Sequence, residues 1–259
     1  MKRVIAILLV LGLLTGANAA LQTEEIKYKQ DGTELHGYLV YDAAIEGKRP
    51  GVLVVHEWWG HNQHARNKAE ELARAGYIAL AVDMYGEGKN TEHPEKAGEW
   101  SGMIASNLDL GEARFKAGYK LLTGHDLTAK DQIAAIGYCF GGAIVLNMAQ
   151  RGLDLDGVVS FHGSLPQQPV SEGTQVKARV LVCHGAADPL ISAEQVQTFQ
   201  KNMTDAGADW QFIAYSGAKH GFTNPDSDKR GMPPLAYSPS ADRRSWQAML
   251  TFFDEIFAN

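Results

Sequence analysis

The sequence is poor in cysteine and in net positive charge. Two Cys among 259 residues are too few for a disulfide framework or for a zinc cluster built on cysteine. The 24 Lys and Arg residues are outnumbered by 30 Asp and Glu residues, which gives a formal net charge of −6. Nucleic acids and anionic membrane surfaces are bound through clustered positive charge. We therefore expect neither of them to be the main partner.

The sequence also lacks an apolar run long enough to cross a membrane. The apolar stretch at residues 4–14 has about half of the roughly 20 residues that a spanning helix needs. It follows the basic start Lys2-Arg3 and precedes the small residues Ala17 and Ala19. This order predicts a cleaved secretory signal peptide at 1–19. No Cys follows the run to carry a lipid, so we predict no stable membrane anchor. We predict export, to the periplasm in a Gram-negative bacterium.

Beyond residue 20, short apolar runs alternate with stretches of helical periodicity. The pattern predicts strands at 25–29, 34–41, 52–55, 78–82, 133–136, 158–161, 179–183 and 211–215. It predicts helices at 65–75, in parts of 94–122, and at 141–150, 193–206 and 240–257. The first two strands are expected to form a hairpin that turns at Asp31-Gly32. Apolar strands alternating with helices predict a mostly parallel sheet with helices on both faces. We find no repeat or linker, so residues 20–259 are expected to form one α/β domain.

The most informative segment is the motif Gly137-x-Cys139-x-Gly141, which follows a predicted strand and precedes a predicted helix. This is the nucleophile-elbow pattern, with Cys in place of the usual Ser. A tight turn of this kind needs small neighbours, and a helix N-terminus lowers the pKa of a thiol. The motif predicts that Cys139 is a nucleophile. The alternative is a buried cysteine that packs as a small apolar residue.

Candidates for the acid and the base follow in the chain order of an α/β-hydrolase. Asp188 lies in a Gly/Ala-rich loop just after a predicted strand, and His220 lies between small residues after the last one. We predict that Asp188 orients His220 and that His220 acts as the base. The alternatives are an aspartate that caps a turn or helix, and a surface histidine.

Several other histidines leave a metal site to be considered. His56, His162 and His184 each follow a predicted strand, but they lack the local spacing of a metal motif. His61 and His64 are three residues apart at a helix start and are expected to be exposed. We predict no metal and no other cofactor.

With these residues in place, the chain resembles the dienelactone hydrolase family of α/β-hydrolases. The resemblance extends over nearly all of the predicted mature chain. Its most specific segments are residues 56–60 (HEWWG), 83–86 (DMYG), 137–142 (GYCFGG), 184–188 (HGAAD) and 220–222 (HGF). The resemblance implies the α/β-hydrolase fold and a Cys139, His220, Asp188 triad. It also implies that Glu57 contacts the thiol and that the backbone amides of Trp58 and Phe140 form the oxyanion hole.

Glu57 can also be interpreted without the resemblance. A carboxylate at the end of an apolar strand is partly removed from water, which raises its pKa and enables it to accept a proton near neutral pH. The alternative is a structural carboxylate paired with an arginine or with backbone amides.

The chain departs from the family where a carboxylate-bearing lactone would be bound. Arginines are expected soon after the Asp-x-Tyr segment and four residues after the catalytic histidine, but the sequence there reads Tyr85-Gly86-Glu87-Gly88 and Asn224. The aromatic side chains of Trp58, Trp59, Tyr85 and Phe222 are expected to line an apolar pocket, unless they are simple core residues. The segments 84–125 and 223–240 are candidate lid or rim elements. We therefore predict an uncharged ester, lactone or thioester as the substrate.

Three functions are open to a chain with these residues. The first is hydrolysis of a small-molecule ester or lactone through an acyl-enzyme, by a monomer or a homodimer. The second is a non-catalytic binding module on a hydrolase fold. The third is a disulfide between Cys139 and Cys183. It is disfavoured because another predicted strand lies between the two strands next to these cysteines, which places the two sulfurs too far apart for a disulfide.

Overall fold

The first two strands pair through the tight turn at Asp31 and Gly32. A computed structural model describes residues 20–258, and the predicted signal peptide lies outside them. Strands β1 (Leu21–Gln30) and β2 (Thr33–Asp42) are antiparallel. Asp31 and Gly32 have φ angles of 45° and 78°. Two positive φ angles are what a two-residue hairpin turn requires, and Asp-Gly is a favoured pair there.

The remaining strands continue the same sheet in parallel. They are β3 (Arg49–Val55), β4 (Ile78–Val82), β5 (Thr128–Tyr138), β6 (Gly157–Phe161), β7 (Arg179–Gly185) and β8 (Trp210–Tyr215). In the described residues the sheet has eight strands in the order β1-β2-β4-β3-β5-β6-β7-β8. β5 begins five residues earlier than predicted, because Thr128 and Ala129 pair with Arg49 and Pro50 ahead of a register shift.

Helices cover both faces of this sheet. They are α1 (Gln63–Arg74), α2 (Pro94–Ala105), α3 (Leu108–Gly124), α4 (Phe140–Gln150), α5 (Ala193–Asp205) and α6 (Pro239–Phe257). In β3, Leu53 and Val55 face the core beneath α2 to α5, whereas Val52 and Val54 face the core beneath α1 and α6. This arrangement confirms the predicted fold class. Between residues 20 and 258 we find no helix with the length and apolar character to span a bilayer.

Candidate active site

Cys139 lies in a strained turn between β5 and α4. It is the N-cap residue of α4 and has a φ of 53°, in the left-handed region that non-glycine residues seldom adopt. A Cβ on Gly137 would lie 2.0 Å from the Gly141 carbonyl oxygen, and one on Gly141 would lie 2.2 Å from that of Val55. These two positions admit no side chain. The local geometry is the strand–turn–helix that the glycine motif predicts.

His220 connects Cys139 to Asp188 by two hydrogen bonds. Its Nε2 lies 3.0 Å from Cys139 Sγ, and its Nδ1 lies 2.8 Å from Asp188 Oδ2. The backbone amide of Leu190 also donates to Asp188, through Oδ1, at 2.9 Å. His220 and Asp188 follow β8 and β7 and are both buried. The structure therefore brings together the nucleophile, base and acid candidates from three separate parts of the chain.

The surroundings of His220 favour the protonated imidazole. Burial by itself lowers the pKa of His220, but the negative charge of Cys139 and the hydrogen bond to Asp188 outweigh it and raise the pKa to about 10. The raised pKa favours the imidazolium form of His220 beside the Cys139 sulfur. A thiolate is the nucleophilic form of cysteine.

Glu57 is buried beside this pair but bonds elsewhere. Its Oε2 accepts a 2.5 Å hydrogen bond from Asn224 Nδ2, while the bond to the thiol comes from His220. Burial raises the pKa of Glu57 to about 7, against the opposing influence of Asn224, His220 and Arg230. The carboxylate therefore titrates near neutral pH, as its position after an apolar strand predicts. The family resemblance implies that Glu57 contacts the Cys139 thiol. In the structure, however, the Glu57 carboxylate is hydrogen-bonded to Asn224.

The two residues expected to form the oxyanion hole lie beside Cys139. Phe140 is the first residue of α4, where backbone N–H groups have no partner within the helix. The Trp58 carbonyl accepts a 3.0 Å hydrogen bond from the Tyr85 hydroxyl. Trp58, Phe140 and Cys139 line the same cavity. The role of the two amides remains a prediction.

A cavity of about 480 Å³ opens at Cys139 and His220. One wall is the small-residue face of α2, and another belongs to the segment that precedes α6. The residues from these walls are Gly98, Ser101, Gly102, Ala105, Met232, Pro234 and Leu235. Both segments predicted as lid or rim elements thus contribute to the cavity. Among the described residues that line it, the ionisable side chains are Cys139 and His220.

The prediction that Trp59, Tyr85 and Phe222 line this pocket is wrong. All three are buried, and none is among the residues that line the cavity. Trp59 packs on Trp58, and Phe222 packs on the ring of His162. Tyr85 turns its hydroxyl to the main chain. Their aromatic character is used for core packing, which was the alternative interpretation, and Trp58 is the predicted aromatic residue that reaches the cavity.

The histidines considered for a metal site have individual partners, and all of them except His64 are buried. His162 Nε2 lies 2.8 Å from Thr223 Oγ1, and His184 packs on Phe212. The expectation that His61 and His64 are exposed is wrong. His61 is buried and its Nε2 lies 3.1 Å from the Ala81 carbonyl oxygen, while half-buried His64 packs edge-on against Tyr138.

The sequence did not reveal the roles of two polar residues that influence Glu57. Asn224 stands where the family resemblance leads us to expect an arginine. The structure shows that its side-chain amide donates a hydrogen bond to Glu57. The Arg230 guanidinium lies 4.4 Å from the centre of the Trp59 ring and lowers the pKa of Glu57. Arg230 is the last residue of a 3₁₀ helix (Ser227–Arg230), which is too short for a periodic pattern in the sequence to signal its position.

A nucleophile elbow on a mostly parallel sheet, with an acid and a histidine after later strands, defines an α/β-hydrolase. The sequence profile of the dienelactone hydrolase family matches residues 35–257. The chain belongs to that family and is a carboxylic-ester hydrolase.

Individual proteins are similar over nearly the whole chain. A solved structure of a dienelactone hydrolase-like promiscuous phosphotriesterase from metagenomic libraries is 34% identical. It has a TM-score of 0.88, with 92% of this chain and 99% of the other covered. The protein usf of Aquifex pyrophilus is 28% identical over 89% of this chain and 97% of its own length. A putative carboxymethylenebutenolidase of Escherichia coli K12 is 29% identical, covering 86% of this chain and 83% of its own.

Proposed function

We propose that this protein hydrolyses small, uncharged esters or lactones, and thioesters of the same size, through an acyl-enzyme on Cys139. The observation that carries the proposal is the hydrogen-bonded series Cys139, His220 and Asp188 at the base of the cavity. A thiolate paired with an imidazolium, aimed at a space large enough for a small molecule, is suited to acyl transfer.

In the proposed acylation step, the Cys139 thiolate attacks the carbonyl carbon of the substrate. The carbonyl oxygen becomes an oxyanion held by the Trp58 and Phe140 amides, each contributing roughly 2.7–4 kcal/mol. When the tetrahedral intermediate collapses, His220 gives its Nε2 proton to the leaving alkoxide oxygen. Asp188 holds the ring in the orientation that this transfer needs.

Deacylation follows the same steps, with water as the nucleophile. Neutral His220 takes a proton from water, the resulting hydroxide attacks the thioester carbonyl, and the thiolate leaves as the acid product forms. Protonated His220 then stabilises the thiolate again. The scheme needs no cofactor, and Glu57 supports it as a proton acceptor beside the pair.

The apolar lining supports an uncharged substrate. A carboxylate-bearing substrate is usually held by a bidentate arginine, and the described residues around this cavity supply none. The Arg230 guanidinium instead packs over the Trp59 ring and pairs with Glu92 at 3.5 Å. We therefore expect simple ester and lactone substrates to be preferred over those that carry a carboxylate.

The test is an activity screen with p-nitrophenyl esters, lactones and thioesters, using Cys139→Ala and the matched control Cys183→Ala. Cys139→Ala should lose about 10⁴-fold or more in kcat, and Cys183→Ala should retain activity because Cys183 is buried in β7. An acyl adduct on Cys139 should be visible by intact-mass measurement. Cys139→Ala with wild-type activity would refute the mechanism. Ligand binding without turnover or adduct would support the binding-module alternative.

A phosphotriester is a second candidate substrate. It is uncharged, as the cavity lining favours, and the 34% identical relative is described as a promiscuous phosphotriesterase. Paraoxon turnover that disappears in Cys139→Ala would assign this reaction to the same thiol. Paraoxon that neither turns over nor labels Cys139 would exclude it.

We also propose that the protein is exported and works in the periplasm. The support is the sequence of residues 1–19 alone. N-terminal sequencing of the protein from a periplasmic fraction should begin at Ala20, and an intact Met1 would contradict export by cleavage.

A further inference from the structure

His56 is fully buried, and both of its ring nitrogens are hydrogen-bonded. It follows β3 directly, and its Nδ1 lies 2.6 Å from the Glu57 carbonyl oxygen. The backbone amide of Met84 donates to its Nε2 at 3.2 Å. Because an amide N–H is only a donor, Nε2 must be the acceptor and Nδ1 must carry the proton. Burial lowers the pKa of His56 to about 4, so the ring stays neutral and keeps this tautomer in the working pH range.

The carbonyl that His56 holds belongs to the peptide whose N–H is that of Trp58. A trans peptide is planar, and its N–H points away from its own carbonyl oxygen. Fixing the Glu57 oxygen therefore fixes the direction of the Trp58 N–H on the opposite side. The amide of Gly60 also donates to this oxygen, at 3.1 Å.

The following peptide is held by a second side chain. The Tyr85 hydroxyl donates to the Trp58 carbonyl oxygen at 3.0 Å, and the Tyr85 ring packs edge-on against His56 at 4.7 Å. His56 also stacks on the Phe140 ring, with centroids 5.8 Å apart and an interplanar angle of 22°. The imidazole thus contacts the Phe140 ring and the carbonyl of the peptide that bears the Trp58 N–H.

We propose that His56, assisted by the Tyr85 hydroxyl, is a positioning residue that aims the Trp58 N–H at the oxyanion formed on the substrate. The proposal rests on the proposed function and adds to it the group that orients one of the two donors. Preorganised donors account for much of the stabilisation of such a transition state, so a small misalignment slows acyl transfer. The reactivity of the thiol itself does not depend on this peptide.

The test separates the two hydrogen bonds of His56 with a matched pair of variants. In His56→Asn the amide nitrogen replaces Nδ1 and keeps a donor for the Glu57 carbonyl. In His56→Gln the amide oxygen replaces Nε2 and keeps an acceptor for the Met84 amide. Two rates are measured for each variant: acylation of Cys139 by p-nitrophenyl acetate, and alkylation of Cys139 by iodoacetamide. Alkylation builds no oxyanion, so it reports the thiolate and the integrity of the site.

We expect His56→Gln to acylate at least about tenfold more slowly than the wild type while its alkylation rate stays within about twofold. His56→Asn should keep both rates within about threefold of the wild type, because it retains the donor that orients the Trp58 peptide. Wild-type acylation in His56→Gln, an equal fall of both rates, or an equal loss in both variants would overturn the proposal.

Tyr85→Phe provides a test if the histidine variants do not fold. It removes the hydrogen bond to the Trp58 carbonyl without creating a cavity, and it should lower the ratio of acylation to alkylation by about threefold or more. An unchanged ratio would count against the proposal. A wild-type enzyme that is alkylated but never acylated would instead overturn the proposed function, so the two failures are distinguishable.

Discussion

The two sides of the Cys139 cavity differ in how tightly they are built. At the elbow, a Cβ on Gly137 or Gly141 would collide with backbone oxygen at 2.0 Å and 2.2 Å. On the opposite wall, a Cβ on Gly98 or Gly102 of α2 would find no atom within 4 Å. Glycine therefore has a different structural role on each side. At the elbow glycine permits close contact, and on α2 it leaves open space.

This difference separates the parts that hold the proposed reacting groups from the part that would hold the substrate. The reacting side is buried and hydrogen-bonded, and its positions tolerate little change. The α2 wall is exposed at Gly98 and Gly102 and has free space there, so substitutions at these two positions should alter substrate choice with little effect on the fold.

The largest contrast is expected from one substitution made on both sides. Gly141→Ala should destabilise the protein by at least about 3 kcal/mol, because its Cβ would overlap the Val55 carbonyl oxygen. Gly98→Ala should stabilise it by about 0.5–1 kcal/mol, because alanine is the better helix former and the space is free. Urea unfolding of both variants measures the two effects. Effects of equal size and sign would remove the distinction between the sides.

A smaller effect is expected from Glu57→Gln on the reacting side. Burial raises the pKa of Glu57 from 4.5 to about 7, so the folded state keeps a proton that the unfolded state releases between these values. Stability of the wild type therefore falls as pH rises through this range, and the loss is complete above about pH 7. The substituted amide does not titrate, and its oxygen can still accept from Asn224. The variant should gain roughly 3 kcal/mol over the wild type between about pH 4 and about pH 8.

The measurement is the free energy of unfolding of both proteins across that pH range. Glu24→Gln, at an exposed position on β1, is the matched control and should show no such pH-dependent gain. If the difference in the free energy of unfolding between Glu57→Gln and the wild type does not change with pH, the pKa of Glu57 is not raised in the folded state.

The smallest effect is expected on the open wall. Gly102→Val fills part of the cavity, so it should lower the kcat/KM ratio of octanoyl to acetyl esters by about tenfold. Gly124→Val, at an exposed helical glycine of α3 that also has free space, should leave the ratio unchanged. Steady-state kinetics with both esters provide the comparison. Equal losses on both esters in Gly102→Val would mean that α2 does not bind the acyl chain.

The strands, the elbow and the order of Cys139, Asp188 and His220 were predictable because each depends on local sequence. Apolar runs, small residues around a nucleophile and a histidine in a glycine-containing loop are visible within a few positions. The strand β5 extended beyond its prediction because Thr128 and Ala129 are placed by pairing with β3 rather than by their own propensity.

The lining of the cavity was not predictable in the same way. Which of Trp58, Trp59 and Tyr85 faces the cavity depends on contacts between distant segments, such as the Tyr85 hydroxyl with the Trp58 carbonyl. Arg230, which packs over Trp59, ends a 3₁₀ helix of four residues, and so short an element leaves no periodic pattern in the sequence. Burial of His61 follows from a bond to Ala81 in β4, which the helical pattern of α1 does not reveal.

The separation of the two cysteines has a consequence for oxidative damage. Both are free, β6 lies between β5 and β7, and burial raises the pKa of Cys183 to about 12. Peroxide should therefore react at Cys139, whose sulfur lines the cavity and is hydrogen-bonded to His220. The sulfenic acid formed there has no resolving cysteine in the same chain, since the sequence contains only these two. Recovery of the enzyme would then depend on a thiol supplied from outside the protein.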